Sequence, residues 1–163
     1  MLKPKLVILR GRPTSGKSTA WHTLKKNKSL KKWRFIDHVS LKNKLGKEEG
    51  KLALMEELKT AMKKKENILI EEMYEKTLKK YIKYYLERYN YKIITFQFFV
   101  STKTAYKRDI QRAKEKWHPK MGKKRIKQMH DLHDKIADPK GILVDTDKLN
   151  KKQVVTLILK NLK

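Results

Sequence analysis

The residues best suited to do chemistry in this sequence form a glycine-rich segment that directly follows an apolar, strand-like run. The run is residues 6–9, and the segment after it fits the pattern G-x-x-x-x-G-K-S/T at every fixed position. The nine residues of this loop are Gly11, Arg12, Pro13, Thr14, Ser15, Gly16, Lys17, Ser18 and Thr19. The spacing predicts a P-loop, in which the glycines let backbone N–H groups approach a triphosphate closely.

Each reactive position of this loop has a predicted role. A helix that begins near Lys17 turns the positive end of its dipole toward the phosphates. The Lys17 ammonium reaches the β- and γ-phosphates, and the Ser18 hydroxyl is a ligand for Mg²⁺. ATP and Mg²⁺ are therefore the expected cofactors.

A carboxylate follows the second strand-like segment, residues 33–36. Asp37 at this point could face the γ-phosphate and accept a proton from an attacking hydroxyl as a general base. Aspartate is also a favoured N-cap, so Asp37 could instead cap the segment 39–45. Both interpretations stay open.

Two arginines and two glutamates extend the candidate site. Arg108 and Arg112 are four residues apart, on one face of a predicted helix, where a lid could place them over the triphosphate. The alternative is a solvated basic helix. Glu71 or Glu72, after the third strand, could assist the Mg²⁺ ion or be a solvated strand end.

The order of elements predicts an α/β fold. Strand-like runs alternate with helix-like segments, which indicates a P-loop three-layer sandwich with a five-stranded parallel sheet. The predicted strands are 6–9, 33–36, 68–70, 91–100 and 142–144. The predicted helices are 17–26, 51–65, 76–88, 103–116, 123–137 and 151–162. We expect one domain, residues 1–163, with a small helical lid at about 108–125.

The charge of the chain points to a polyanionic partner. Lys and Arg number 43 against 17 Asp and Glu, a net charge of +26, so nucleic acid is a natural ligand. A general lysine bias of the source would give the same composition. The sequence has no cysteine and no apolar run long enough for a membrane span, and we expect a cytoplasmic protein without a membrane partner.

Several classes of P-loop protein are disfavoured. The chain is short for a motor ATPase, and the N-K-x-D motif of GTPases is absent from it. A kinase, which moves the γ-phosphate to a hydroxyl, is the class that remains.

The sequence resembles the small P-loop kinases of the polynucleotide 5′-hydroxyl kinase and zeta-toxin type. The resemblance rests on residues 11–19, on Asp37, and on residues 107–112 with the strand before them. It implies that Asp37 is the base, that Arg112 contacts the transferring phosphate, and that the acceptor is the 5′-hydroxyl of RNA or DNA. Such kinases carry an arginine three residues after the base, where this chain has Ser40.

Two other functions remain open from the sequence. One is a kinase of a small metabolite or nucleotide, and the other is a nucleotide-dependent nucleic-acid-binding protein without transfer activity. His130 and His133 are interpreted as a polar helix face and not as a metal site. Trp117 is the best candidate for base stacking, and Trp33 is expected in the core.

Overall fold

The computed structural model describes residues 3–71, 75–115 and 119–162, and the side chains of 75–81 lie outside the description. The five strands are β1 (Lys5–Gly11), β2 (Arg34–Asp37), β3 (Ile68–Glu71), β4 (Lys92–Phe99) and β5 (Ile142–Asp145). The helices in these residues are α1 (Lys17–Lys25), α2 (His38–Leu45), α3 (Lys47–Lys63), α4 (Glu75–Arg88), α5 (Thr102–Lys114), α6 (Lys123–Lys135) and α7 (Lys151–Asn161). A short 3₁₀ helix covers Lys28–Leu30.

The strands form one five-stranded sheet in the order β2-β3-β1-β4-β5. The pairs β2–β3, β1–β3 and β4–β5 are parallel. This confirms the predicted parallel α/β sheet. In such sheets ligands bind beyond the carboxyl ends of the strands. The residues that directly follow each strand are therefore the candidates for a binding site.

The chain divides into two compact units. The first unit contains residues 1–10 and 21–95, and the second contains residues 11–20 and 96–163. The P-loop and the arginines of α5 therefore belong to the second unit, whereas Asp37 and Glu71 belong to the first.

The core of the first unit lies between α3 and one face of β1, β2 and β3. Alternate strand residues supply that face because successive side chains of a strand point to opposite sides. The strand residues are Leu6, Ile8, Ile36, Ile68 and Ile70, and the α3 residues are Leu54, Met55, Leu58, Ala61 and Met62. All ten are buried, as burial of a continuous apolar face requires.

The structure corrects the predicted helix 51–65 in two ways. The helix begins at Lys47. The negative charges of Glu48 and Glu49 in its first turn stabilise the helix by interacting with the positive end of its dipole. Leu52 is three residues before Met55, a spacing that predicts a shared apolar face, but Leu52 is 67% exposed and Leu54 is buried instead. In α6 the same spacing predicts that Leu132 is buried with Met129, but Leu132 is exposed, and the buried residues are Ile126 and His130.

A helix also forms where the sequence predicted only a capped segment. α2 packs against α3 at Gly50, where an added Cβ would lie 2.7 Å from the Lys42 Cα and 2.9 Å from the Leu41 carbonyl oxygen. Only a residue without a side chain permits this approach, so Gly50 fixes how close α2 can come to α3.

We expect Gly50→Ala to destabilise the protein by about 1–3 kcal/mol because the new methyl group must push α2 away from α3. The higher helix propensity of alanine offsets at most about 1 kcal/mol of this loss. Urea unfolding measures the change, with Leu52→Ala in the same helix as the control, expected within about 0.5 kcal/mol of wild type. A Gly50→Ala protein as stable as wild type would contradict this packing.

Candidate active site

The P-loop begins with a close approach between two backbones. Gly11 has φ +134°, and a Cβ there would lie 2.1 Å from the Phe98 carbonyl oxygen. The next N–H, of Arg12, donates to the same Phe98 oxygen at 3.2 Å. Glycine is therefore required at position 11 by both the backbone angle and the space available.

The remainder of the loop turns through left-handed backbone angles into α1. Thr14 has φ 59° and Gly16 has φ 88°, on either side of the buried Ser15. α1 then begins at Lys17. Loops of this kind, placed before a helix N-terminus, gather N–H groups into a concave site for anions. The left-handed conformation of Thr14 is a feature that the sequence pattern did not reveal.

The Lys17 ammonium is enclosed by the loop itself. Its Nζ donates to the Gly11 carbonyl at 2.9 Å and to the Arg12 carbonyl at 2.7 Å, and it lies 3.4 Å from the Ser15 hydroxyl. The side chain is only 6% exposed. The positive charge is thus held within the loop, and the predicted contact of Lys17 with phosphate stays a prediction.

The donor set of this loop fits a nucleoside triphosphate with its metal ion. Lys17 supplies a cation, and no atom beyond the adjacent residues lies within 4 Å of the position that a Cβ of Gly16 would take, which leaves room beside the backbone there. Ser18, in the first turn of α1, is exposed and presents an oxygen ligand of the kind that Mg²⁺ prefers.

Arg12 anchors the loop by its side chain. Its Nε and Nη2 donate to the two carboxylate oxygens of Asp134 at 3.0 and 2.5 Å, and its Nη1 donates to the Val100 carbonyl at 2.9 Å. The guanidinium also lies 4.2 Å from the Phe99 ring centroid. The Arg12 side chain is thus committed to α6 and β4. Sequence reasoning missed Asp134, because no local signal pairs residues so far apart in the chain.

The Arg12 guanidinium contributes to lowered pKa values of two groups in α6, Asp134 and His130. The Arg12 guanidinium lowers the pKa of the Asp134 carboxyl through their hydrogen bonds. Burial lowers the pKa of His130, which is 1% exposed, and the nearby Arg12 charge acts in the same direction. The Thr102 hydroxyl lies 3.3 Å from His130 Nδ1. In the part of the chain described, no group of three or more potential metal ligands occurs.

The structure places Arg108 against the loop and leaves Arg112 exposed. Arg108 Nη1 donates to the Thr14 carbonyl at 3.1 Å and to the Thr146 hydroxyl at 3.0 Å, while Nη2 donates to the Thr146 carbonyl at 2.8 Å. Thr146 is itself fixed, since its N–H donates to the Phe99 carbonyl at 3.0 Å. Arg112 lies one turn further along α5, on the solvent side. The predicted catalytic roles of both arginines stay predictions.

A buried carboxylate ties α5 to the start of α6. Asp109, 4% exposed, accepts hydrogen bonds from the N–H groups of Met121 and Gly122, each at 3.0 Å. These residues fall in the predicted lid, about 108–125. Asp109 was part of the arginine motif in the sequence, but its holding role was not predicted. Trp117 lies outside the described residues.

In the first unit, Asp37 and Glu71 end neighbouring strands. The two residues are register partners in the parallel β2–β3 pair. The Asp37 Oδ1 accepts the Ser40 N–H at 2.9 Å, so Asp37 is the N-cap of α2. Glu71 is 6% exposed, and Glu72 lies outside the described residues. Lys42 and Lys44 are exposed on α2.

The fold is that of P-loop kinases. A provisionally assigned kinase from Chloroflexus aurantiacus is 14% identical and superposes with a TM-score of 0.71 over 99% of this chain and 97% of its own. A gluconokinase from Sinorhizobium meliloti, 14% identical, gives 0.62 over 99% and 97%. A chain of the Pnkp1/Rnl/Hen1 RNA repair complex is 19% identical, with a TM-score of 0.60 over 85% of this chain and 47% of its own. The chain matches no family model and no curated protein sequence.

No helix among the residues described is long and apolar enough to cross a membrane.

We expect Asp109→Ala to free the segment that it holds. Hydrogen bonds to a charged group contribute about 1.5–3 kcal/mol, so the amides of Met121 and Gly122 should lose protection against hydrogen exchange. Exchange measured by NMR tests this. The control is Asp131→Ala in α6, an exposed residue paired only with Lys127 in the described contacts, which should leave both amides protected. Unchanged exchange at Met121 and Gly122 in Asp109→Ala would refute the role.

The buried imidazole makes stability depend on pH. Since the folded-state pKa of His130 lies below its ordinary value, the unfolded chain binds the extra proton first as the pH falls. The free energy of unfolding should therefore decrease from about pH 6.5 downward, until the folded-state pKa of His130 is passed. Asp134 has the same sign in a lower window, because its contribution is complete above about pH 4 and is lost below it.

Urea unfolding between about pH 7.5 and pH 5 separates the two groups. His130→Gln retains a polar partner for Thr102 and should flatten the decrease in the upper window. The exposed His22→Gln should reproduce the wild-type slope. An equal slope in wild type and His130→Gln would show that another group is responsible.

Proposed function

We propose that the protein is an ATP-dependent phosphotransferase that moves the γ-phosphate to the 5′-hydroxyl of RNA or DNA. The observation that carries the kinase part is the loop geometry: a buried Lys17 ammonium enclosed by loop oxygens, with Arg108 bonded to the Thr14 carbonyl. A cation held in this way can balance charge on a transferring phosphoryl group, which is the main catalytic demand of the reaction.

Each part of the proposed site has its own role in binding ATP and Mg²⁺. Loop residues 11–19 bind the triphosphate, and Lys17 contacts its β- and γ-phosphates. Ser18 would hold Mg²⁺, which when bound neutralises phosphate charge, and Glu71 is the described carboxylate that would assist it. Arg108 and Arg112 supply further positive charge as the lid closes.

The transfer itself is a displacement at the γ-phosphorus. The acceptor hydroxyl oxygen forms a bond to the γ-phosphorus while the bond to the bridging oxygen of ADP breaks. Asp37 takes the proton of the hydroxyl. Its cap to Ser40 uses one carboxylate oxygen, Oδ1, and the cap and base roles are therefore compatible.

Two observations support a polynucleotide as acceptor. The net charge of +26 favours a polyphosphate ligand through counterion release. A chain of an RNA repair complex is among the structures with this fold. The exposed Lys42 and Lys44, close to Ser40, could contact the acceptor strand in place of the missing arginine.

A small-metabolite acceptor is the second candidate. The gluconokinase with the same fold over almost its whole length supports it. The two candidates differ in salt dependence. The apparent affinity for a polynucleotide should fall steeply with salt, whereas that for an uncharged metabolite should not.

We expect label from γ-labelled ATP to appear on the 5′ end of hydroxyl-terminated oligonucleotides. Asp37→Asn keeps an N-cap for α2 but removes the base, so turnover should fall by about 10²–10⁴-fold while the melting temperature stays near that of wild type. Lys17→Ala should lose both turnover and stabilisation by ATP. The assay includes RNA, DNA and a panel of nucleosides and hydroxyl metabolites.

Asp138→Asn is the matched control, because the Asp138 Oδ1 likewise accepts a backbone N–H, from Lys140 at 2.9 Å. It should leave turnover unchanged. Label on a metabolite alone would replace the polynucleotide acceptor, and Asp37→Asn with wild-type turnover would place the base elsewhere. ATP and oligonucleotide binding with no transfer to any acceptor would support the binding protein without transfer activity.

A further inference from the structure

A groove of about 400 Å³ lies in the first unit at the amino end of β2. The side chains that matter in it are those of Lys25, Lys31, Lys32, Trp33, Arg34 and Phe35. We refer to it as the β2 groove. Strand β2 runs from Arg34 at this groove to Asp37 at its other end, three residue steps or about 10 Å away. The β2 groove is therefore separate from the carboxyl-end position at which transfer is proposed.

Two aromatic rings in the β2 groove are partly open to solvent and project from a main chain that is fixed. Trp33 and Phe35 are both half-buried. The backbone N–H of Trp33 donates to the carbonyl of the buried Leu30 at 2.9 Å, which fixes the main chain that carries the ring. Phe35 packs edge-on against the buried Trp21, with ring centroids 5.6 Å apart. Rings positioned in this way can receive a flat ligand without first being ordered.

The same segment carries a dense positive charge. Residues 25–34 contain six basic residues and no acidic one. Lys31 and Lys32 are exposed next to Trp33. Glu66 also lines the groove, but its carboxylate is engaged by Arg34, with Nε to Oε2 at 3.0 Å and Nη2 to Oε1 at 3.4 Å. That ion pair fixes Arg34 and neutralises the charge of Glu66. The remaining charge of the groove is therefore positive and comes from the lysines.

Aromatic faces beside a basic track are the features by which proteins bind single strands. Bases stack on the rings, and lysines follow the phosphates without reading the sequence. A duplex keeps its bases stacked on each other and has none to offer to Trp33. An acidic peptide would satisfy the lysines but would leave the rings without a flat partner.

We propose that the β2 groove is a nucleic-acid site, distinct from the transfer site, that binds single-stranded polynucleotide by base stacking on Trp33 and phosphate contacts from Lys31 and Lys32. This binding site is an addition to the proposed transfer reaction, and strand binding there does not require that the protein transfers phosphate. A kinase of polynucleotides would use such a site to retain the strand, and a protein without transfer activity would use it to bind.

Fluorescence anisotropy with 3′-labelled, 5′-phosphorylated oligonucleotides tests the site, with single-stranded RNA and DNA and a duplex of equal length. Lys31→Glu with Lys32→Glu should weaken single-strand binding by about tenfold or more and lower the salt slope by more than about 1. The matched charge reversal Lys151→Glu with Lys152→Glu, at two exposed lysines of α7, should change affinity less than about threefold.

Trp33→Ala should weaken binding by about 5- to 100-fold, and Trp33→Phe should restore most of it because a ring remains for stacking. Circular dichroism establishes that each variant is folded. If Trp33→Ala fails to fold, the lysine pair and Trp33→Phe carry the test.

Three results would overturn the proposal. Equal losses for the two lysine pairs would mean that diffuse charge alone binds the strand. Equal affinity for duplex and single strand would exclude stacking. Trp33-dependent binding to phosphatidylserine vesicles, with no effect of the groove variants on oligonucleotides, would assign the surface to lipid.

The design also separates this site from the transfer reaction. Lys17→Ala should abolish turnover yet keep groove binding, whereas the Lys31–Lys32 variant should keep turnover on a 5′-hydroxyl dinucleotide, because neither lysine is assigned a part in transfer.

Discussion

The close approach of Gly11 to the backbone of Phe98 is the constraint on which the rest of the candidate nucleotide site depends. It permits the Arg12 N–H to bond to the Phe98 oxygen, and from there the Arg12 side chain reaches Val100 and Asp134. The carbonyls of Gly11 and Arg12 are in turn the acceptors for Lys17. A side chain at position 11 would move all of these groups together, because the atoms in its way are backbone and cannot rotate aside.

Three acidic residues of this very basic chain hold segments of the structure in place. Asp109 binds two backbone N–H groups, Asp134 binds Arg12, and Glu66 binds Arg34. The 43 basic residues outnumber the 17 acidic ones, and many lysines in the described part of the chain are exposed to solvent. The fixed carboxylates thus determine where chain segments lie, and the surplus lysines determine what the surface attracts.

The sequence was sufficient for the features that follow from local pattern. The P-loop, the five parallel strands and the helix with Arg108 all rest on spacing within a few residues, and the structure has them where predicted. The helical spacing wrongly predicts that Leu52 is buried. Leu54 is buried in its place, and only the packing of the helix against the sheet determines which of the two leucines is covered.

Features that depend on distant pairs could not be predicted in this way. Asp134 lies on α6, far along the chain from the loop residue Arg12 that it binds. Asp109 has no feature in the sequence that distinguishes it from an exposed polar residue of a basic helix. The α2 helix needs Gly50, which in a single sequence reads only as a weak position within α3. The β2 groove likewise joins the end of α1, the 3₁₀ turn and Glu66, which only the fold brings together.

Asp37 shows why a structural and a catalytic role need not compete. An N-cap fixes a carboxylate by one oxygen and sets the direction of the group relative to the strand that precedes it. A general base needs a fixed direction as well, since proton transfer requires hydrogen-bond geometry. The cap therefore provides the orientation that the base would need. The neighbouring Glu71, aligned in register on β3, puts a second carboxylate at the same edge of the sheet, which is the pair of acids that the proposed transfer reaction would use.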